Sequence, residues 1–370
     1  MLYATRVHTE LGNIRANLAR IAERVGNRQI LVAVKANAYG HGAVEVSRMI
    51  QSEGAADWLG VATVPEALEL RAAGIGLPIL KLSHARPNEI PSALAADLTL
   101  TVVDAETIDA VAAAAERAGI KASVHLKIDT GMRRIGSEPM AALELARRID
   151  AAPSLRLGGV FSHLPISDAP RGDDFTASQI ARFAALIDKI AAGRGERPLA
   201  HLANSGAVLA HPDAWFDLVR PGIMVYGSYP DTESPRTVEL LPGLRWTTQV
   251  SFAKPVSQGE SVGYGRTWRA PVDTWIATIP VGYGDGYSRL LSNRGRVLVG
   301  GRSYPIVGQV CMDQTMIDIG PDPQVGVGDE VVLIGRSGRE EITVSELAGL
   351  MGTIPYEVTC LIAARVERGS

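Results

Sequence analysis

Between residues 29 and 227 the chain alternates regularly between two textures, and this alternation narrows its folds more than any other feature. Eight short apolar runs, "QILVAV", "WLGVA", "LPILKL", "LTLTVV", "ASVHLKI", "LRLGGVFS", "PLAHLA" and "GIMVYG", read as strands buried on both faces. Between them lie Ala-rich helical stretches such as "VPEALELRAAG", "DAETIDAVAAAAERAG", "PMAALELARRIDAAP" and "FTASQIARFAALIDKIAAG", several ending at Gly or Pro. Strand and helix in strict alternation imply a parallel sheet, and eight units are the number that closes a (β/α)8 TIM barrel. An open doubly wound sheet is the alternative, but its usual Gly-x-Gly-x-x-Gly turn after the first strand is absent.

After "YPDTESPRTVELLPG", which reads as a linker, the texture changes. The segments "WTTQVSFAKPV", "TWIATIPVGYG", "RVLVG", "SYPIVGQV", "TMIDIG" and "DEVVLIG" are β-rich and punctuated by Gly, with one helical patch at "VSELAGLMG". A length of 370 residues accommodates two cores. We therefore expect an α/β barrel over 8–235, followed by a mainly β domain over 236–370 that also takes in the strand-like start, 1–7.

A formal net charge of -3 with no basic run argues against a nucleic-acid partner. The first residues lack a signal-peptide pattern and no apolar stretch reaches membrane-spanning length, so a cytoplasmic protein without membrane partners is expected. The two cysteines, Cys311 and Cys360, have no neighbours at metal-ligand spacing; neither a disulfide framework nor a metal site is expected.

Barrels of this kind carry their chemistry at the carboxyl ends of the strands. The polar residues just past the apolar runs are Lys35 and Tyr39, Lys127 and Arg134, His163, Asn204 and Ser205, with Arg220 and Gly222 before the eighth run. A lysine at a strand end more often snorkels to solvent. When desolvated, however, its ammonium loses stability and the neutral amine becomes available for Schiff-base chemistry. Asn204, Ser205 and Gly222 supply small groups and backbone N–H donors where barrels often bind phosphate. A phosphate cradle with an imine-forming lysine points to pyridoxal 5'-phosphate.

At this point the stretch "AVKANAYGHG" resembles the pyridoxal-phosphate attachment motif of the alanine racemases. The similarity continues in order through "KIDTGMRRIG", "SHL", "HLANSGA", "RPGIMVYG", "SVGYGRTW", "PVGYGDGYSR", "GQVCMDQ" and "TIPYEV", from Lys35 to Val358. The resemblance implies a (β/α)8 barrel followed by a β domain, in a head-to-tail homodimer. It implies that Lys35 holds the cofactor and, once released, acts as the base on one face of the substrate, while Tyr264, supplied by the partner subunit, acts on the other. Because a free tyrosine has a pKa near ~10, Tyr264 needs help, for which His163 between Tyr264 and Arg220 is the expected source. Arg220 resembles the arginine that faces the pyridine nitrogen; it cannot donate its proton outright, so the ring becomes a weaker electron sink and reprotonation is favoured.

Tyr39, Ser205, Gly222, Ile223 and Tyr356 match phosphate-binding positions, and Arg134 the arginine near the phenolic oxygen and substrate carboxylate. Arg133 stands beside it where the family often has a small residue. The backbone N–H of Met312 is implied to bind the carboxylate, with Asp313 supporting the partner's site. Lys127 matches a position often carbamylated, and Tyr283 with Tyr356, Asp168, Arg289 and Ile354 the narrowed entrance. Gln309 replaces an arginine frequent at this gate, and "HLPISDAP" departs from the more usual Phe-Ala after the histidine. The expected reaction is interconversion of L-alanine and D-alanine for peptidoglycan. The alternatives are a racemase of this fold acting on serine or a broader set of amino acids, a related decarboxylase, and a non-catalytic cofactor carrier. The decarboxylase would need an acid where Arg220 stands, and the carrier would not need residues 244–370.

Overall fold

The computed structural model describes residues 3–369. A short first strand, β1 (Arg6–Thr9), precedes the barrel strands β2 (Gln29–Ala33), β3 (Trp58–Val61), β4 (Ile79–His84), β5 (Leu98–Val102), β6 (Ala122–Lys127), β7 (Leu155–Phe161), β8 (Leu199–His201) and β9 (Leu218–Val219). The last eight are parallel, in the order β8-β7-β6-β5-β4-β3-β2-β9. The seam between β8 and β9 is closed by two backbone hydrogen bonds, Asp217 N to Ala200 O at 3.0 Å and Arg220 N to Ala203 O at 2.9 Å. Inward-pointing Leu31, Leu80 and Leu218, each fully buried, form a separate apolar cluster inside the ring. Helices cover the outside because their apolar stripes need the sheet: helix Ala105–Ala118, for example, buries Ile108, Val111, Ala114 and Ala115, starts in an Asp104/Thr107 capping box and stops at left-handed Gly119.

The eighth strand is not the expected "GIMVYG". Residues Ile223–Tyr226 form a 3-10 turn, and the two-residue β9 lies just upstream. A continuous apolar run does not distinguish a buried strand from a buried turn, and Ile223, Met224 and Val225 are each wholly enclosed. Pro221 removes a ladder donor immediately after Arg220. As a result, Arg220 follows the eighth strand and stands at the rim of the barrel where the strands end.

The second unit is built on a sheet in which strands Arg302–Pro305, Arg296–Val299, Glu330–Ser337, Leu244–Gln249, β1 and Glu367–Gly369 lie side by side. β1 pairs antiparallel with Leu244–Gln249, placing Arg6 opposite Thr247, and parallel with Glu367–Gly369. A three-stranded sheet (Phe252–Val256, Thr274–Ile279, Thr315–Gly320) packs in the same unit. A small ribbon, Ser261–Val262 with Trp268–Arg269, carries the turn Tyr264–Arg266. The "VSELAGLMG" patch is helix Val344–Met351, and a further helix, Pro355–Cys360, follows it.

Ties between the units converge on the turn after β2. Thr9 Oγ1 donates to His41 O at 2.7 Å, and Arg368 Nε to Gly40 O at 2.8 Å. The linker is strapped to the first helix, Leu11–Val25, by Asn17, whose side chain accepts from Leu241 N and donates to Leu241 O and Val225 O.

Candidate active site

The rim of the barrel opens into a cavity of about 620 Å³. Lys35, Tyr39, Lys127, Arg134, His163, Asp168, Asn204, Ser205, Arg220, Gly222, Ile223, Ile354 and Tyr356 all line it, so most of the residues expected from the sequence converge here.

Lys35 is carried by an unusual backbone. Ala36, Asn37, Ala38 and Tyr39 have φ of 51, 54, 53 and 54°, a full left-handed turn without glycine. Each such residue costs roughly 1–2 kcal/mol, so the turn must be held from outside. Glu66 holds one end: Oε1 accepts from Ala36 N at 2.7 Å, while Oε2 accepts from Ala62 N at 2.7 Å and Thr63 N at 3.0 Å. Asn37 Oδ1 accepts from Ala43 N at 2.8 Å at the other end. Gly40, at φ 86°, completes the turn, and a Cβ there would sit on the Thr359 carbonyl of helix Pro355–Cys360. Burial, then Arg134, pushes the Lys35 ammonium below its ordinary pKa; Glu66 and Cys360 oppose this and Arg220 adds to it.

The buried Tyr39 ring lies 5.2 Å from that of Tyr226 and 5.8 Å from that of Tyr356. Its hydroxyl is so close to Gly222 that a Cβ on that residue would stand 2.6 Å from Oη. Ser205 Oγ accepts from Gly222 N at 2.9 Å, and Ile223 opens its 3-10 turn, so its N–H has no acceptor within that turn. Asn204 instead caps the helix Ser205–Ala210, accepting from Ala207 N, receiving Ser167 Oγ and donating to Leu164 O.

Arg220 is buried, and three of its five N–H groups are engaged. Nη2 donates to Ser162 O at 2.7 Å and Leu202 O at 3.0 Å, and Nη1 donates to His201 Nδ1 at 3.0 Å. Nδ1 of His201 is therefore an acceptor, its proton is on Nε2, and that proton is donated to His125 Nδ1 at 2.9 Å. Burial pulls Arg220 down to about 9, which still leaves it charged at neutral pH. His163 Nδ1 lies 3.4 Å from Arg220 Nη2 and is held well below its ordinary pKa by burial and by Arg220, Arg134, Lys127 and Lys35, so it is neutral. Lys127 ends β6 with Nζ 3.4 Å from Leu82 O; burial, Arg220, Arg134 and Lys35 lower it to about 8. Burial raises the carboxyl of Asp168. Among the described residues no group of His, Cys, Asp and Glu could hold a metal ion. The cavity is cationic, suited to an anionic ligand beside a reactive amine.

The two adjacent arginines point to different places. Arg133 takes φ 56°, a conformation cheapest for glycine, and donates to Glu138 on the outside at 2.5 Å, whereas Arg134 lines the cavity. Five expected residues are not in this chain's cavity. Tyr264, at 75% exposure, crowns the ribbon of the β unit; Met312 and Tyr283 are 54% and 44% exposed, and Asp313 and Arg289 lie on neighbouring turns of the same unit. His163 therefore has Arg220 but no Tyr264 beside it within one chain. Gln309 Nε2 makes only a 3.4 Å contact with Thr267 Oγ1.

Two residues of the site escaped the sequence reading. Cys360 lines the cavity from the helix after "TIPYEV", and nothing in its surroundings in the sequence marks it. Glu66 was visible as the fourth residue of a Thr63-x-x-Glu66 capping box, a pattern that announces a helix start but not the third donor from another strand.

Comparison with known proteins adds a family to this geometry. Residues 9–230 match the family described as alanine racemase, N-terminal domain, and residues 243–370 that described as alanine racemase, C-terminal domain. The chain is 52% identical over 359 residues to an alanine racemase of Cutibacterium acnes, covering 97% of this chain and 96% of that protein. It is 44% identical over 365 residues to one from Symbiobacterium thermophilum, covering 98% and 96%. Among solved structures, an alanine racemase of Clostridium difficile superposes with a TM-score of 0.94 at 35% identity, covering 100% of this chain and 96% of that one. A histidine racemase of Leuconostoc mesenteroides superposes at 0.92 with 31% identity, covering 100% and 98%. With both halves of the chain matched, nearly full-length relatives and the same barrel and β unit, the chain belongs to the alanine racemase family.

Proposed function

We propose that this chain is a pyridoxal-phosphate-dependent isomerase that interconverts L-alanine and D-alanine, supplying D-alanine for peptidoglycan in the cytoplasm. The observation that carries the reading is the desolvated Lys35 amine facing the Tyr39/Ser205/Gly222 corner, with buried Arg220 on the same rim. The residues fit the cofactor: glycine at 222 leaves the space a Cβ would fill beside Tyr39 Oη, which a phosphate oxygen needs. Tyr39, Ser205, Gly222, Ile223 and Tyr356 would hold the phosphate, with Asn204 fixing the helix start beneath it, and Lys35 the aldehyde carbon. When bound, the cofactor would supply electron withdrawal from the substrate Cα, which Arg220 would moderate by offering the ring nitrogen a hydrogen bond but no proton.

The chain's own groups do the rest. Burial and Arg134 lower the Lys35 ammonium and so favour its neutral amine, whose Nζ can take a proton from one face of Cα. Tyr264 Oη of the partner subunit serves the opposite face, assisted by neutral His163, which stands 3.4 Å from Arg220 Nη2. Two bases on opposite faces let a proton leave on one side and arrive on the other, which inverts the centre. Arg134 and the Met312 N–H of the partner subunit orient the carboxylate, Asp313 supports them, and a carbamylated Lys127 would give Arg134 an anionic neighbour. Tyr283, Tyr356, Asp168, Arg289 and Ile354 narrow the approach enough to favour a methyl side chain.

A head-to-tail homodimer is supported by the exposure of Tyr264, Tyr283 and Met312, three large side chains of the β unit that lie outside their own chain's cavity. No helix among the described residues is long and apolar enough to cross a membrane. A second reading, a racemase of the same fold acting on serine or a broader set of amino acids, draws support from uncharged Gln309 at the gate. The test is racemisation of enantiopure alanine, serine and histidine followed by optical rotation. Alanine should be turned over fastest, Lys35→Ala should lose the visible cofactor band, and Tyr264→Phe should keep that band yet lose Cα exchange from one enantiomer. Equal loss of exchange from both enantiomers refutes the two-base assignment.

A further inference from the structure

In the loop Cys311–Gln314 the last three residues are exposed, yet the loop is fastened more tightly than exposure requires. Cys311 N donates to Gln314 O at 2.9 Å, closing the turn. Its next two carbonyls are taken from outside: Tyr283 N donates to Cys311 O at 3.0 Å and Gly284 N to Met312 O at 2.8 Å. These approaches are close enough that Gly282 has no room for a Cβ against Cys311 O, and a Cβ on Gly284 would meet Arg365 Nη2 at 2.7 Å. The Met312 N–H finds no acceptor among the described residues.

One side chain spans the two segments. Arg365 Nε donates to Asp285 Oδ1 at 2.7 Å, and Nη2 donates to Asp313 Oδ1 at 2.8 Å. The two carboxylates differ in kind. Asp285 is fully buried, accepts from Gly282 N at 3.0 Å through Oδ2, and receives Tyr3 Oη at 2.9 Å. Asp313 is exposed, with 62% of its side chain accessible. A buried carboxylate needs a counter-charge, so Asp285 anchors one edge of the guanidinium in the core, and the other edge reaches the exposed Asp313. A lysine could not do this, because a single ammonium lacks the rigid fork that meets two carboxylates on different segments.

We infer that Arg365 is the positioning residue of the substrate-carboxylate loop, tying Met312 and Asp313 to the Tyr283 turn through buried Asp285. The inference rests on the proposed reading in which this loop completes the site of the partner subunit. Arg365 does not line the cavity of its own chain, so its effect is on geometry.

The cofactor-loaded full-length enzyme tests this. In Arg365→Ala, KM for L-alanine should rise about tenfold with kcat nearly kept, the equivalent of one hydrogen bond to a charged group. Arg365→Lys should be as poor, and added guanidinium should restore KM in Arg365→Ala where ammonium does not. Asp313→Asn, which leaves the buried pair intact, should raise KM in the same direction and serves if Arg365→Ala fails to fold. A mixed dimer of Arg365→Ala and Lys35→Ala protomers is decisive: its one site with Lys35 receives a loop with intact Arg365, so KM should return to the wild-type value. An unchanged KM in both the Arg365→Ala and Asp313→Asn homodimers, or a raised KM in that mixed dimer, overturns the inference. A mixed dimer of Lys35→Ala and Tyr264→Phe without activity would instead overturn the shared-site reading on which it rests.

Discussion

Glu66→Gln puts the left-handed turn under the most direct test. Four consecutive residues at φ 51 to 54° store roughly 4–8 kcal/mol, somewhat less for Asn37, which tolerates this region. One carboxylate receives three backbone donors: Oε2 takes Ala62 and Thr63, and Oε1 takes Ala36. An amide has only one acceptor oxygen, which will stay with the pair at Ala62 and Thr63 because two bonds outweigh one. The new NH2 group then faces the Ala36 N–H, donor to donor. Hydrogen bonds to charged groups contribute about 1.5–3 kcal/mol, and this one is exposed on the Ala36 side, so opening of the turn should become about 1.5–2 kcal/mol easier. That is a factor of roughly 10–30 in the open population. Native-state hydrogen exchange should report it as a matching loss of protection at residues 36–40, with protection elsewhere in the barrel unchanged. Removing the Glu66 anion also removes a contribution that raises the Lys35 ammonium, so Lys35 moves further down and the acid limb of turnover shifts to lower pH. Exchange at residues 36–40 within threefold of wild type would refute the claim that Glu66 holds the turn.

Gly40→Ala should cost about 3 kcal/mol or more, because φ 86° and a Cβ on the Thr359 carbonyl force the turn and helix Pro355–Cys360 apart; Gly54→Ala, at φ 61° in open space, should cost only about 1 kcal/mol, and thermal unfolding distinguishes the two. His41, His125 and His201 are buried and neutral, pushed to about 4, to about 3 and well below 6.5 respectively, so the unfolded chain binds more protons as pH falls below 6.5. Denaturant titrations should therefore show stability falling by about 1 kcal/mol per histidine between pH 6.5 and 5.5, close to 3 kcal/mol together. Lys127, lowered to about 8, reacts with carbon dioxide only as the neutral amine, which then loses a proton; labelled bicarbonate should give a carbamate carbon resonance that rises through pH 8 and is absent in Lys127→Ala.

The barrel was legible because its strands are buried on both faces and need apolar residues at nearly every position, as at Leu31, Val32 and Ala33. The eighth strand was not, since Leu218–Val219 is too short to register and the stronger apolar signal, Ile223–Tyr226, is enclosed for a different reason: Tyr226 Oη donates to Ala33 O and its ring stacks on His41. Site residues on strand ends, Lys35, Lys127 and Arg220, were likewise legible, because topology alone sends them to one rim. The conformation that aims Lys35 was not. "ANAY" holds no glycine, and its four positive φ values are held by the local Asn37–Ala43 bond and by Glu66, a contact that forms only when a segment 30 residues away arrives. Arg365 was illegible for the same reason, lying 80 residues from Asp285 and 52 from Asp313. The chemistry of this site is thus written locally, in residue types at strand ends, while its aim is written in long-range polar ties. Substitution of Lys35 should abolish turnover outright, and substitutions at Glu66 or Arg365 should leave the chemical groups in place and degrade only how well they meet the substrate.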